Sequence, residues 1–144
     1  MSYVFASTVI DAPVERVWSL LQDFSEITRW HPGVPQADLE DGLAGNAVPC
    51  VRRLAMKDGI YRERLLAMSS LDHSYAYELF ESPLPIKGHR SKVALLPITE
   101  TTQTFVQWEA WFDVINGDAA QLSEGILNGV IRLGFEGLRN TLRS

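Results

Sequence analysis

The chain is 144 residues long and 46% hydrophobic, enough for one domain with a core that needs no disulfide or metal to hold it. Its 18 acidic and 13 basic residues give a net charge of -5. With no basic run longer than Arg52-Arg53, a charge that Arg62, Arg64 and Arg90 could only extend as scattered neighbours, a nucleic-acid partner is not expected. The single cysteine, Cys50, excludes an internal disulfide and a cysteine metal cluster, and it reads as a small hydrophobe in a reducing compartment. Met1-Ser2-Tyr3 does not open a signal peptide, and no apolar run approaches the ~20 residues of a spanning helix. The expectation is a cytoplasmic protein without stable membrane insertion.

In chain order, Tyr3 to Ile10 alternates and is rich in aromatic and branched side chains, which predicts a strand. Asp11-Ala12-Pro13 stops it and starts a helix, with Pro13 at the first helical position and Val14, Val17, Trp18 and Leu21 at helical spacing. Phe24 to Trp30 is a second short helix or turn, closed by His31-Pro32. Strand and turn follow. Gly33 to Glu40 is a strand, Cys50 to Met56 and Ile60 to Ser69 form a hairpin joined at Lys57-Asp58-Gly59, and Ser74 to Phe80 is a strand that stops at Glu81-Ser82-Pro83-Leu84-Pro85. Arg90 to Leu96 and Thr102 to Ile115 complete the set. In the last of these Val106, Trp108, Ala110 and Phe112 share one face and Gln103, Gln107, Glu109 and Asp113 lie on the other, so the first face turns inward.

Asn116-Gly117-Asp118 turns into the longest segment, Asp118 to Arg143, with Asp118 as its cap. At about 100° per residue, Ala119, Leu122, Ile126, Val130, Leu133 and Gly137 fall on one face, and Leu127, Ile131, Phe135, Leu138 and Leu142 lie beside it. An apolar arc this wide is more than one flat contact requires, so the sheet is expected to wrap around the helix. Gly125, Gly129, Gly134 and Gly137 each cost up to ~1 kcal/mol relative to alanine in a helix interior. They leave room for a neighbouring backbone or a cavity.

The run Ile10-Asp11-Ala12-Pro13-Val14-Glu15-Arg16-Val17-Trp18, followed by Asp23-Phe24 and Trp30-His31-Pro32, resembles the START-like, or birch-pollen-allergen-like (SRPBCC), superfamily, and within it the polyketide cyclase/dehydrase and lipid transport group. Arg62-Glu63-Arg64-Leu65-Leu66, Tyr77-Glu78-Leu79 and Glu81-Ser82-Pro83-Leu84-Pro85 are similar to bacterial relatives of the plant abscisic acid receptors. The resemblance spans almost the whole chain. It implies an α+β helix-grip fold over 1–144: a curved antiparallel seven-stranded sheet around a long C-terminal helix, two short helices after the first strand, and a cavity between sheet and helix for an apolar ligand.

By the family pattern, Tyr61, Glu63, Leu65 and Ala67 face inward. Glu63 is then a carboxylate in an apolar cavity that needs a partner, which His31 or His89 could supply. Tyr75, Tyr77, Leu79, Trp108 and Ala110 line the cavity from the sheet, and Ile126, Val130 and Gly134 from the helix. His31 stands where the receptor relatives carry a ligand-contacting basic residue, with a local loop hydrogen bond as its alternative. His89 stands where they carry a cavity tyrosine, with a surface position as its alternative. The turn Lys57-Asp58-Gly59 and the loop Ser82-Pro83-Leu84-Pro85 correspond to the gating loops, but the receptor-type gate and latch residues are absent, so hormone-type signalling is not supported.

These residues point first to a non-catalytic binder or carrier of a small hydrophobic or aromatic molecule, lipid- or polyketide-like. The alternative is a cyclase/dehydratase-type enzyme in which His31 and Glu63 move protons. A third reading is a protein-interaction module working through Pro83-Leu84-Pro85, and a homodimer is left open. No metal-ligand spacing, phosphate loop or nucleophilic triad is visible, so no cofactor is expected.

Overall fold

The computed structural model describes residues 1–143. Seven strands form one antiparallel sheet: β1 (Ser2–Ile10), β2 (Ala37–Leu39), β3 (Val51–Met56), β4 (Gly59–Ser69), β5 (Ser74–Glu81), β6 (Ile86–Ile98) and β7 (Gln103–Val114). Their spatial order is β1-β7-β6-β5-β4-β3-β2, so every consecutive pair from β2 to β7 is an antiparallel neighbour and the first strand closes beside the last. Helix α1 (Val14–Leu21) and a 3-10 turn (Phe24–Arg29) follow β1. The C-terminal helix occupies 119–142, as α2 (Ala119–Ile126), a π-helical stretch (Leu127–Arg132) and α3 (Leu133–Leu142). The curved sheet holds this helix in its concave face, the helix-grip arrangement.

Most of this follows from local chemistry. Val106, Trp108, Ala110 and Phe112 are all buried on the inner face of β7, as the alternation requires. Asp118 caps α2, its carboxylate accepting the Ala120 and Gln121 backbone N–H groups. Pro13 sits one residue earlier than expected, as the cap of α1. Phe24 to Arg29, expected as a short helix or turn, is a 3-10 turn, with the Asp23 side chain capping it at the Ser25 N–H. β2 is only three residues long.

Four irregularities shape the interior, one of them a shift in the β4–β5 register between Arg62 and Glu63. In β4 the pairing with β5 runs Leu65 to Tyr77 and then Ala67 to Ala76, leaving Leu66 as an extra residue. That bulge reverses the side-chain alternation, so Ala67 is exposed and Met68 packs on the core in its place, contrary to the expected inward Ala67. In β6 the register with β7 shifts between Lys87 and Arg90, where Gly88 adopts φ +64°. Another is the π-helical stretch, which widens the helix where it packs against β1.

Candidate functional site

A cavity of about 580 Å³ lies between the concave face of β3 to β7 and the first half of the C-terminal helix. Its apolar walls include Ile27, Val34, Leu54, Met56, Leu79, Trp108, Ala110, Leu122, Ile126 and Val130, and its mouth is bordered by Leu84, Pro85 and Asn116 to Asp118. Gly125 and Gly129 also line it, and a Cβ added to either would meet nothing within 4 Å. These two glycines create empty space.

The other two helical glycines do the opposite. A Cβ on Gly134 would lie 2.6 Å from Trp108 Cζ3 and 3.1 Å from His31 Cδ2, and one on Gly137 would collide with the Trp30 carbonyl oxygen. Gly134 therefore does not line the cavity as expected, because the Trp108 indole and the His31 ring occupy the space beside it. Leu65 and Tyr75 are also absent from the cavity wall. Leu65 is fully buried in the core, and Tyr75 packs edge-on to Phe24 with ring centroids 5.9 Å apart. Of the expected positions, His31, Tyr61, Glu63, Tyr77, Leu79, His89, Trp108, Ala110, Ile126 and Val130 do meet around the cavity.

The polar centre of the cavity is an ion pair. Arg52, on β3, stands directly across from Glu63 on β4. Its Nε and Nη2 both donate to Glu63 Oε1, at 2.8 and 2.7 Å, and its Nη1 donates to the Phe24 carbonyl oxygen at 2.8 Å. The guanidinium lies 3.6 Å above the Phe24 ring centroid. Burial is the largest single effect and opposes its charge, but the Glu63 carboxylate together with Tyr75 and Tyr77 outweighs it and holds the Arg52 pKa above its ordinary value. Contrary to the expectation from the sequence, the partner of Glu63 is neither histidine but Arg52. The missed signal was the length of the hairpin loop. With two residues, Lys57 and Asp58, between Met56 and Gly59, the register pairs Arg52 with Glu63.

His31 is held by backbone on both sides of its ring. Its Nε2 lies 2.7 Å from the Val130 carbonyl oxygen and its Nδ1 accepts the Gly33 N–H at 3.1 Å, so the ring is the neutral tautomer with the proton on Nε2. Burial pushes its pKa below the ordinary histidine value, against the opposing effect of the Val130 carbonyl. Although the ring lines the cavity, both of its nitrogens are occupied.

His89 differs. Its Nδ1 accepts the Leu79 N–H at 3.0 Å, which puts its proton on Nε2; besides a bond to its own backbone, the ring forms no other hydrogen bond among the described residues. Burial lowers its pKa too, with the Glu63 charge opposing. Glu63 Oε2 is likewise without a hydrogen-bond partner among the described residues, and both side chains line the cavity. By contrast Ser91 is spent, donating to the Glu109 carbonyl at 2.7 Å and accepting from Trp108 Nε1 at 3.0 Å. Burial pushes the Tyr75 hydroxyl up to about 12 and raises that of Tyr77 further, so both phenols stay neutral.

The two expected gating segments lie against each other. A Cβ on Gly59 would be 3.4 Å from Pro83 Cγ, and Asp58 accepts the Tyr61 hydroxyl at 2.7 Å. Only Leu84 and Pro85 of these segments reach the cavity; Lys57, Asp58, Gly59, Ser82 and Pro83 do not line it.

The sheet, the gripped helix and the cavity between them define a START-like protein. The model of the polyketide cyclase / dehydrase and lipid transport family matches residues 2–143, and the chain belongs to that family. Among solved structures it is similar to the protein XoxI from Bacillus cereus, at 25% identity and a TM-score of 0.87, over 100% of this chain and 97% of that one. It is also similar to a protein from Thermobifida fusca, at 29% identity and a TM-score of 0.86, over 99% of this chain and 95% of that one. A START superfamily protein from Mycobacterium smegmatis, at 12% identity and a TM-score of 0.77, covers 98% of this chain and 97% of its own, and shares the fold. No curated protein matches the chain by sequence. No helix among the described residues is long and apolar enough to cross a membrane.

Proposed function

We propose that the protein binds a small, largely apolar molecule in the cavity and carries it unchanged. The observation that supports this most is the cavity itself: about 580 Å³, within the ~300–1,000 Å³ usual for small-molecule sites, apolar in most of its wall, with a neutralised ion pair at its centre. The family's description, which includes lipid transport, agrees with a carrier. A proton-transfer role for His31 is disfavoured because neither ring nitrogen is available. The cyclase or dehydratase alternative would instead have to run on Glu63 and His89, which both line the cavity. The lone Cys50, buried and unpaired, fits a reducing cytoplasm.

Titration with the uncharged fluorophore N-phenyl-1-naphthylamine tests the proposal. Saturable binding of one molecule per chain, with enhanced emission, is expected. Absence of saturable binding would overturn it.

A further inference from the structure

Whatever enters this cavity meets two polar side chains the protein leaves partly unpaired. Glu63 is 8% exposed and His89 7%, so both are more than nine-tenths buried. Glu63 Oε2 is an acceptor carrying part of a negative charge, and His89 Nε2–H is a donor fixed in that role by the Leu79 N–H on the opposite ring nitrogen. They flank one strand: Glu63 pairs with Leu79 on β5, and Leu79 is bonded to His89 on β6. Glu63 and His89 thus stand on strands two apart in the sheet, with β5 between them. Across the cavity, Gly125 and Gly129 leave the helix surface without side chains, so a flat molecule has room to lie there.

The group that would ordinarily grip an anionic ligand is largely engaged. Three of the five N–H groups of Arg52 serve Glu63 and the Phe24 carbonyl, Tyr75 is also bonded to it, and its flat face covers the Phe24 ring. A carboxylate entering the cavity would therefore meet the open oxygen of Glu63 before any free fork of Arg52, and would lose its hydration without gaining a partner. An uncharged hydroxyl meets Glu63 Oε2 as a donor, in a charge-assisted bond.

From these contacts we infer that the cavity selects an uncharged, flat molecule that donates a hydrogen bond to Glu63 and accepts one from His89, a phenol, enol or hydroxy-carbonyl compound, and that it rejects carboxylates such as free fatty acids. This rests on the cavity being a binding site. Displacement of N-phenyl-1-naphthylamine by 2-naphthol, naphthalene and 2-naphthoate at neutral pH tests it. 2-Naphthol should compete at concentrations roughly ten-fold or more below both of the others, the size expected of one hydrogen bond to a charged group. Either competitor matching 2-naphthol overturns the inference while leaving the binding reading intact; failure of the fluorophore itself to bind removes both. In the double variant Arg52→Met with Glu63→Leu, the preference for 2-naphthol over naphthalene should fall to about one, and a preserved preference contradicts the assignment. The ranking with the unaltered protein decides the matter whether or not that variant folds.

Discussion

The His31 imidazole donates from Nε2 to the carbonyl oxygen of Val130, at 2.7 Å, in the π-helical stretch of the C-terminal helix. A side chain bonded into the helix ladder is one of the recognised companions of such a widened turn. The bond ties the segment after the 3-10 turn to the middle of the gripped helix. Below it, α3 packs into the closed end through Phe135, Leu138 and Leu142; above it, α2 buries only Ile126 and borders the cavity.

The two buried histidines should make stability fall in mild acid. Each has a folded pKa below the ordinary 6.5, with burial as the main cause, so below about 6.5 the unfolded chain binds more protons than the native one. Their contribution is complete above about 6.5 and is lost as pH falls toward the depressed native values. The charged neighbours are Arg52 and Glu63, with Glu63 partly opposing the shift at both rings and Arg52 adding to it at His31. Thermal melts from pH 8 to pH 5 should show a decline that is shallower in His31→Phe. An identical slope in that variant would remove His31 from the explanation.

The ion pair should behave as one unit. Removing Glu63 alone strands a buried guanidinium, and removing Arg52 alone strands a carboxylate facing an apolar cavity, each costing about 3–5 kcal/mol. The double replacement Arg52→Met with Glu63→Leu should cost much less than the sum of the single changes, as urea denaturation would show. Additive costs would mean that the two side chains are not coupled in solution.

The four helical glycines should separate into two classes. Gly125→Ala meets open space and should stabilise the helix by about 0.5–1 kcal/mol. Gly134→Ala would push into Trp108 and His31 and should destabilise by roughly 1–3 kcal/mol. Denaturant midpoints of the two variants should move in opposite directions; movement in the same direction would contradict the packing described for one of them.

The sequence made the inner face of β7 and the gripped helix readable because alternation and helical period are local signals, and Val106, Trp108, Ala110 and Phe112 keep one register throughout. The bulge at Leu66 was not readable. Nothing in Leu65-Leu66-Ala67 marks which residue is extra, and the reversal of faces appears only when β5 supplies the partner. The π-helical stretch escaped for a related reason, since projecting the chain at 100° per residue assumes the regular turn that His31 and Val130 interrupt. The expected cavity lining includes Gly134, whereas the observed contacts put it against Trp108 and His31. Arg52 could have been found by counting back from the two-residue turn, but its charge made it look like a surface residue beside Arg53. The hydrogen bonds left open at Glu63 and His89 depend on which nitrogens and oxygens other strands occupy, which no local pattern carries.

Substitutions in the empty half of the helix should act on binding alone. Gly129→Phe projects a ring into the cavity from a position with open space, so it should weaken uptake of N-phenyl-1-naphthylamine while the melting temperature stays near that of the unaltered protein. Loss of binding with loss of fold would be uninformative for Gly134→Phe, whose added ring strikes Trp108, and this makes Gly129 the better position.

The most direct test of the cavity as the binding site is a backbone amide NMR titration with N-phenyl-1-naphthylamine. The largest shifts are expected at Glu63, Leu79, His89, Gly125 and Gly129, which surround the cavity from four elements of the fold. Shifts confined to the outer face of the sheet, at Val9, Leu96 and Phe105, with the cavity amides unmoved, would contradict the account.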